Sequence, residues 1–142
     1  DVAAILAAHN IEYVATTSAA YPLDLYDKIK KALTFQGVKY LHIHIPCPPG
    51  WGFEPRYAVK VGKLAVESGL FELCEIEKSQ FRHTGASLKI IEKRRLVPVR
   101  DYLKAQSRFK TMSEAETEKI QESITRRWEG YFKSFDDING EE

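Results

Sequence analysis

Hydrophobic positions change period several times along the chain, and each change predicts a change of element. Asp1-Val2-Ala3-Ala4-Ile5-Leu6-Ala7-Ala8-His9 reads as a helix, closed by Asn10 as a left-handed cap. Ile11 to Thr16 then has the β-branched and aromatic density of a strand. Pro22 suits a first turn, and Leu25, Ile29 and Leu33 recur at four-residue spacing beside Tyr26 and Ala32 until Gly37 supplies a stop. This predicts an amphipathic helix of about four turns. Tyr40 to Ile45 returns to period two, with Leu41, Ile43 and Ile45 on one face and Tyr40, His42 and His44 on the other. Strands separated by helices of this length favour right-handed crossovers and a parallel sheet. Two strands do not complete a sheet, so more are expected from sequence outside this stretch or from a partner.

Pro46-Cys47-Pro48-Pro49-Gly50-Trp51-Gly52-Phe53-Glu54-Pro55 breaks the alternation, and its prolines and glycines predict a stiff loop without helix or ladder strand. The loop follows the C-terminal end of a strand, where open parallel sheets place their ligands. Arg56 to Ser68 returns to helix, with Tyr57, Val61, Leu64 and Ala65 on one face and Gly69 at the stop. Leu70 to Ile76 predicts a strand paired antiparallel with Gln80 to His83 or with Leu88 to Ile91. Pro98 opens a short helix through Gln106, and Ser113 with Glu116 forms a capping box ahead of a long helix. Ile120, Ile124 and Trp128, extended by Tyr131, Phe132 and Phe135, give that helix an apolar face to be covered by the domain's own body or by another subunit. Asp136 to Glu142 is acidic and expected to fray.

Composition narrows the function classes. With 142 residues and 44% hydrophobic content the chain can build a globular core, and a net charge of +1 gives no reason to expect nucleic acid or an anionic membrane as partner. No apolar run approaches the roughly 20 residues that cross a bilayer, and there is no signal-peptide pattern, so a soluble cytoplasmic protein is expected. Cys47 and Cys74, without CxxC spacing, make neither a disulfide framework nor a self-contained four-cysteine metal site. A chain that opens inside a helix without methionine reads as a fragment or processed piece.

Candidate chemistry concentrates on Cys47. Prolines on both sides hold its backbone extended, and a thiolate at a strand end can bind iron or zinc; the alternative is a small apolar residue filling space beneath the loop. Cys74, inside a strand, reads as structural. His42, His44 and Cys47 form a His-x-His-x-x-Cys pattern able to supply three zinc ligands, although histidines on a strand face are commonly packed and hydrogen-bonded. His9 fits the dipole at a helix C-terminus. Lys89, Lys93, Arg94 and Arg95 form a basic cluster that either guides an acidic protein or is a solvated face. No nucleophile elbow or glycine-rich phosphate loop is present.

Pro46-Cys47-Pro48-Pro49-Gly50-Trp51, with Asp1-Val2-Ala3-Ala4-Ile5, Tyr13-Val14-Ala15-Thr16, Ala20-Tyr21-Pro22 and Lys63-Leu64-Ala65-Val66-Glu67-Ser68-Gly69-Leu70, resembles the C-terminal half of the β subunits of pyruvate:ferredoxin oxidoreductases, in the 2-oxoacid:ferredoxin oxidoreductase family. Pro98 to Gln106 and Arg108-Phe109-Lys110 continue the likeness. The resemblance implies an α/β fold, part of a thiamine diphosphate-binding parallel-sheet domain with a small β add-on and a C-terminal helical extension. It divides the chain into residues 1–69, with the cysteine loop 46–55, and an extension over 70–142. The family's β subunit binds thiamine diphosphate and Mg2+ and holds a 4Fe-4S cluster near the thiamine. It works with α, γ and δ subunits or their fused equivalents, decarboxylating a 2-oxoacid such as pyruvate, passing electrons to ferredoxin and the acyl group to coenzyme A. By resemblance Cys47 matches the last of four cluster cysteines, the other three lying upstream of Asp1, and Cys74 matches none. The Gly-Asp-Gly to Asn signature that holds magnesium and diphosphate is absent, so no catalytic residue is implied in this chain and the isolated chain is expected to be inactive.

Overall fold

The computed structural model describes residues 1–139. Helix α1 (Val2–Ala7) leads into strand β1 (Tyr13–Ser18), helix α2 (Pro22–Ala32) and strand β2 (Lys39–His44). A helical turn α3 (Pro48–Trp51) and helix α4 (Ala58–Glu67) follow, then the hairpin of β3 (Cys74–Glu77) and β4 (Gln80–His83). Helices α5 (Gly85–Lys93), α6 (Val99–Lys104) and the long α7 (Glu114–Asn139) complete the chain.

The fold is α/β, around a sheet of order β2-β1-β3-β4. Strands β1 and β2 are parallel, from Tyr13 opposite Lys39 to Ser18 opposite His44, with α2 as the return connection that a parallel neighbour requires. The sheet is mixed, because β3 runs antiparallel to β1 and β4 antiparallel to β3, which makes the hairpin the expected add-on. Of the two partners expected for β3, Gln80 to His83 is the one used. Leu88 to Ile91 lies inside α5, where Ser87, Ile90 and Ile91 are buried at helical spacing. The strand begins at Cys74 rather than Leu70, since Leu73 spends its amide on Ser87 Oγ (2.8 Å) and its carbonyl on the Thr84 amide (2.9 Å).

Every residue of β1 is buried, because both sheet faces are covered. Tyr13 and Ala15 pack with Ala32, Phe35 and Leu41 on one side, and Val14 with Ala3, Leu6 and Ile76 on the other, following the strand's two-residue period. Asn10 adopts the expected left-handed conformation (φ +60°), but α1 ends earlier than His9, at Ala7 with Ala8 as its C-cap, and Asn10 closes the turn that follows.

Helix α2 departs from its predicted orientation. Of its apolar stripe Ala32 is buried and Leu25 half-buried, but Leu33 is 75% exposed and Tyr26 and Ile29 are also in the open, while Lys28 is only 2% exposed. The reason is polar: Lys28 Nζ donates to Thr16 O (2.8 Å), Asp24 Oδ2 (2.8 Å) and Thr84 Oγ1 (2.7 Å), so all three ammonium protons find acceptors beneath the helix. The helix ends at Ala32, and Gly37 (φ +74°) instead serves the turn into β2.

A second core lies under α7, and the chain's own body covers that helix. Ile124 and fully buried Trp128 pack against Val61 and Ala65 of α4, Ile90 and Ile91 of α5, and Val99 and Leu103 of α6. Trp128 Nε1 donates to Gly69 O at 3.0 Å. A side chain at Gly69, whose φ is +74°, would strike the indole, so glycine is required there. The capping box closes as predicted: Glu116 N donates to Ser113 Oγ (3.2 Å) and Ser113 N to Glu116 Oε2 (2.8 Å). Asp136 to Asn139 continue the helix where fraying was expected, and residues 140–142 lie outside the described residues.

Candidate functional site

Strand β2 delivers the chain to its C-terminal end, where buried Pro46 turns it over α4. The approach is close, since a Cβ on Gly62 of α4 would sit 2.6 Å from Ala20 Cβ and 3.2 Å from Pro46 Cγ. Cys47 follows in extended conformation (φ −107°, ψ 99°) with an exposed free thiol. The expectation that this segment excludes helix is overturned. Pro48 and Pro49 occupy the first two helical positions, where an amide proton has no intrahelical partner, so the prolines start the α3 turn instead of breaking it. Trp51 N donates to Cys47 O at 2.9 Å and Gly52 N to Pro48 O at 2.9 Å, and Gly52 (φ +71°) ends the turn. A Cβ on Gly50 would stand 3.2 Å from Cys47 Sγ, so glycine keeps the space beside the sulfur open.

Of the histidines of β2, His44 is packed and His42 is exposed. His44 lies between the rings of Phe71 (5.0 Å) and Trp51 (5.6 Å), with Nδ1 3.3 Å from Ser18 Oγ. Burial, with help from the neighbouring His42 and Arg108, pushes its pKa down to about 4, so the ring is neutral at pH 7. His42 meets Phe71 edge-on at 5.4 Å. Among the described residues no group of three His, Cys, Asp or Glu side chains comes together to hold a metal ion, so the structure does not gather His42, His44 and Cys47 into a zinc site.

Cys74 is buried in β3, with Sγ 3.2 Å from Thr16 Oγ1, and burial pushes its thiol pKa up. Its burial in the strand is as expected of a structural residue. His9 is exposed just beyond α1. Lys89, Lys93, Arg94 and Arg95 all lie on the surface around α5, where Arg94 pairs with Asp136 of α7.

Sequence reading missed the residues that hold the loop from behind. The turn Ser107–Phe109 lies against it: Ser107 N donates to Gly52 O (3.1 Å), and Arg108 stacks over Trp51 at 4.0 Å. Nothing local announces a contact across more than 50 residues. Also unannounced were Lys28 with Asp24, and Glu72, which accepts from His83 at 3.0 Å and from Arg127 at 2.9 Å.

Chemically, the loop offers one soft donor on a rigid support at the ligand end of a strand. A lone thiolate can serve as one ligand of a soft metal but cannot close a metal site alone.

Comparison with known proteins places the chain among relatives that are subunits of 2-oxoacid oxidoreductases. Pyruvate synthase subunit PorB of Methanocaldococcus jannaschii is 42% identical over 127 residues, which is 89% of this chain and 41% of that protein. PorB of Thermotoga maritima is 37% identical over 134 residues, 91% of this chain and 40% of its own length. Ketoisovalerate oxidoreductase subunit VorB of Pyrococcus furiosus is 34% identical over 125 residues, 88% of this chain and 39% of VorB. No family model matches. The chain is similar to these PorB and VorB subunits along most of its own length and spans about two fifths of theirs.

Proposed function

We propose that this chain is the C-terminal part of the β subunit of a cytoplasmic 2-oxoacid:ferredoxin oxidoreductase acting on pyruvate, and that Cys47 supplies one thiolate to its 4Fe-4S cluster. The observation that carries the reading is the match to PorB subunits along some nine tenths of the chain but two fifths of theirs. In this reading residues 1–69, with the loop 46–55, belong to the thiamine diphosphate-binding domain, and residues 70–142 are its C-terminal extension. The partners are the rest of the β subunit, the other oxidoreductase subunits and ferredoxin. Pyruvate and coenzyme A are the substrates, and thiamine diphosphate with Mg2+ is held by residues outside this chain.

The chain's surfaces support that assignment. Strand β2 is an edge strand, and an unpaired edge is a template for another strand. Leu23, Tyr26, Leu33, Val38 and Ile45, from α2 and the segments flanking β2, are exposed large apolar side chains of the kind an interface covers. Among the described residues no helix is long and apolar enough to cross a membrane, so no span accounts for these residues.

When bound, an iron-sulfur cluster supplies one-electron transfer. The chain's own contribution is positional. Pro46, Pro48 and Pro49 restrict the backbone around Cys47, Gly50 leaves room beside Sγ, and the neutral His44 ring packs against Trp51 without adding a charge. Metal analysis after anaerobic assembly tests the proposal. Iron with acid-labile sulfide should appear only in the complete enzyme, and the chain alone should bind no thiamine diphosphate by calorimetry. Stoichiometric zinc in the isolated chain, or no metal in the assembled enzyme, would contradict it.

A further inference from the structure

Two segments far apart in sequence meet at the back of the Cys47 loop. Ser107 N donates to Gly52 O at 3.1 Å, and a Cβ on Gly52 would overlap Ser107 Oγ, so the serine side chain fills the space that any side chain at residue 52 would need. Arg108 lays its guanidinium over the Trp51 ring at 4.0 Å and the Phe109 ring at 4.5 Å, and its Nη2 donates to Tyr102 Oη at 3.2 Å. Tyr102 is buried in the core under α7, and Trp51 and Phe53 pack against that same core. The guanidinium thereby ties the α3 turn, which begins immediately after Cys47, to the core under α7. Arg108 is itself exposed, so packing of its own side chain does not account for the arrangement.

We infer that Ser107 and Arg108 form a clamp that fixes the Cys47 loop, and that Arg108 is a positioning residue for the iron-sulfur cluster; this rests on the proposed reading of Cys47 as a cluster ligand. A planar guanidinium can stack on an indole and direct a fixed N–H toward a phenol at the same time, which a lysine ammonium does not do. Losing the stack frees Trp51, and with it the hydrogen-bonded turn of Trp51, Gly52 and Phe53 whose amides return to Cys47 and Pro48. A thiolate on a loosened turn meets its iron with a wider spread of geometries, which alters the cluster's electronic signature.

The test uses the assembled enzyme carrying Arg108→Ala, Arg108→Lys or Gly52→Ala, the last of which pushes Ser107 away without changing any charge. Hydrogen exchange at the amides of Trp51, Gly52 and Phe53 should accelerate about tenfold in all three variants, with the amides of α4 unchanged. The electron paramagnetic resonance line of the cluster that disappears with Cys47→Ala should change shape and midpoint potential in the same three. Unchanged loop exchange would overturn the clamp. So would an Arg108→Lys enzyme that matches the parent in both readouts, because charge alone would then suffice. If Cys47→Ala removes no cluster signal, the ligand reading itself has failed and the positioning role falls with it, whatever the exchange rates.

Discussion

Around Trp128 the inward faces of α4, α5, α6 and α7 close over one another, whereas beside β2 the apolar residues of α2 and its flanks look outward. Both regions come from helices with clear amphipathic patterns. They differ in what lies beneath the helix. Under α7 lies a continuous apolar surface, so its stripe faces inward. Under α2 lies the polar end of β1, where Thr16 O, with Thr84 and with Asp24 of the helix itself, captures Lys28, so the buried side of the helix carries Lys28 beside the small Ala32 and not the large apolar residues. An amphipathic pattern therefore identifies a helix and its stripe but not which side meets this chain. A stripe left outside is the one expected to meet another body.

The largest consequence of that contrast falls on the closed core. Trp128→Ala should destabilise the protein by about 3 to 5 kcal/mol in a chemical denaturation series, because it empties a fully buried site and removes one of the two donors to Gly69 O, leaving only the Arg127 guanidinium. A loss of a few tenths would show that the second core is not the self-sufficient half.

An intermediate effect is expected at the junction of the two regions. His44 has its folded-state pKa lowered to about 4 from 6.5, so between these values the unfolded chain binds the extra proton. The contribution is complete above about pH 6.5 and is lost as the pH falls toward 4, on the order of 1 to 3 kcal/mol. His44→Gln should flatten that acid limb of the stability profile, and an unaltered slope would place the imidazole in solvent.

The smallest effect separates the open face from the closed one. Leu33→Ser should change the stability of the chain by no more than about 0.5 kcal/mol, since the side chain is already in water. In the assembled enzyme the same change should weaken association, measured as a rise in subunit dissociation with dilution. Equal dissociation of variant and parent would remove Leu33 from any interface.

Much of this was legible in the sequence because it depends on local chemistry. Pro22 at a helix start, Asn10 in the left-handed region, the Ser113 and Glu116 capping box and the parallel pair of strands all follow from neighbours a few residues apart. The α3 turn was misread because proline was counted as a breaker where it opens a helix. Leu88 to Ile91 was ambiguous as a short apolar run, and only its burial at helical spacing against α7 decided it. At the site, Cys47 and its loop stood out, but Arg108 and Ser107 did not, since a contact between Trp51 and Arg108 leaves no periodic trace.

The central claim is that Cys47 ligates an iron-sulfur cluster completed by cysteines outside this chain. Its most direct measurement is the electron paramagnetic resonance spectrum of the reduced, assembled enzyme carrying Cys47→Ala, with Cys74→Ala as control. The account predicts loss or conversion of one cluster signal and loss of ferredoxin reduction in the Cys47 variant, with some 2-oxoacid decarboxylation retained and every cluster signal intact in the control. A Cys47→Ala enzyme with its full set of cluster signals and normal ferredoxin reduction would contradict it.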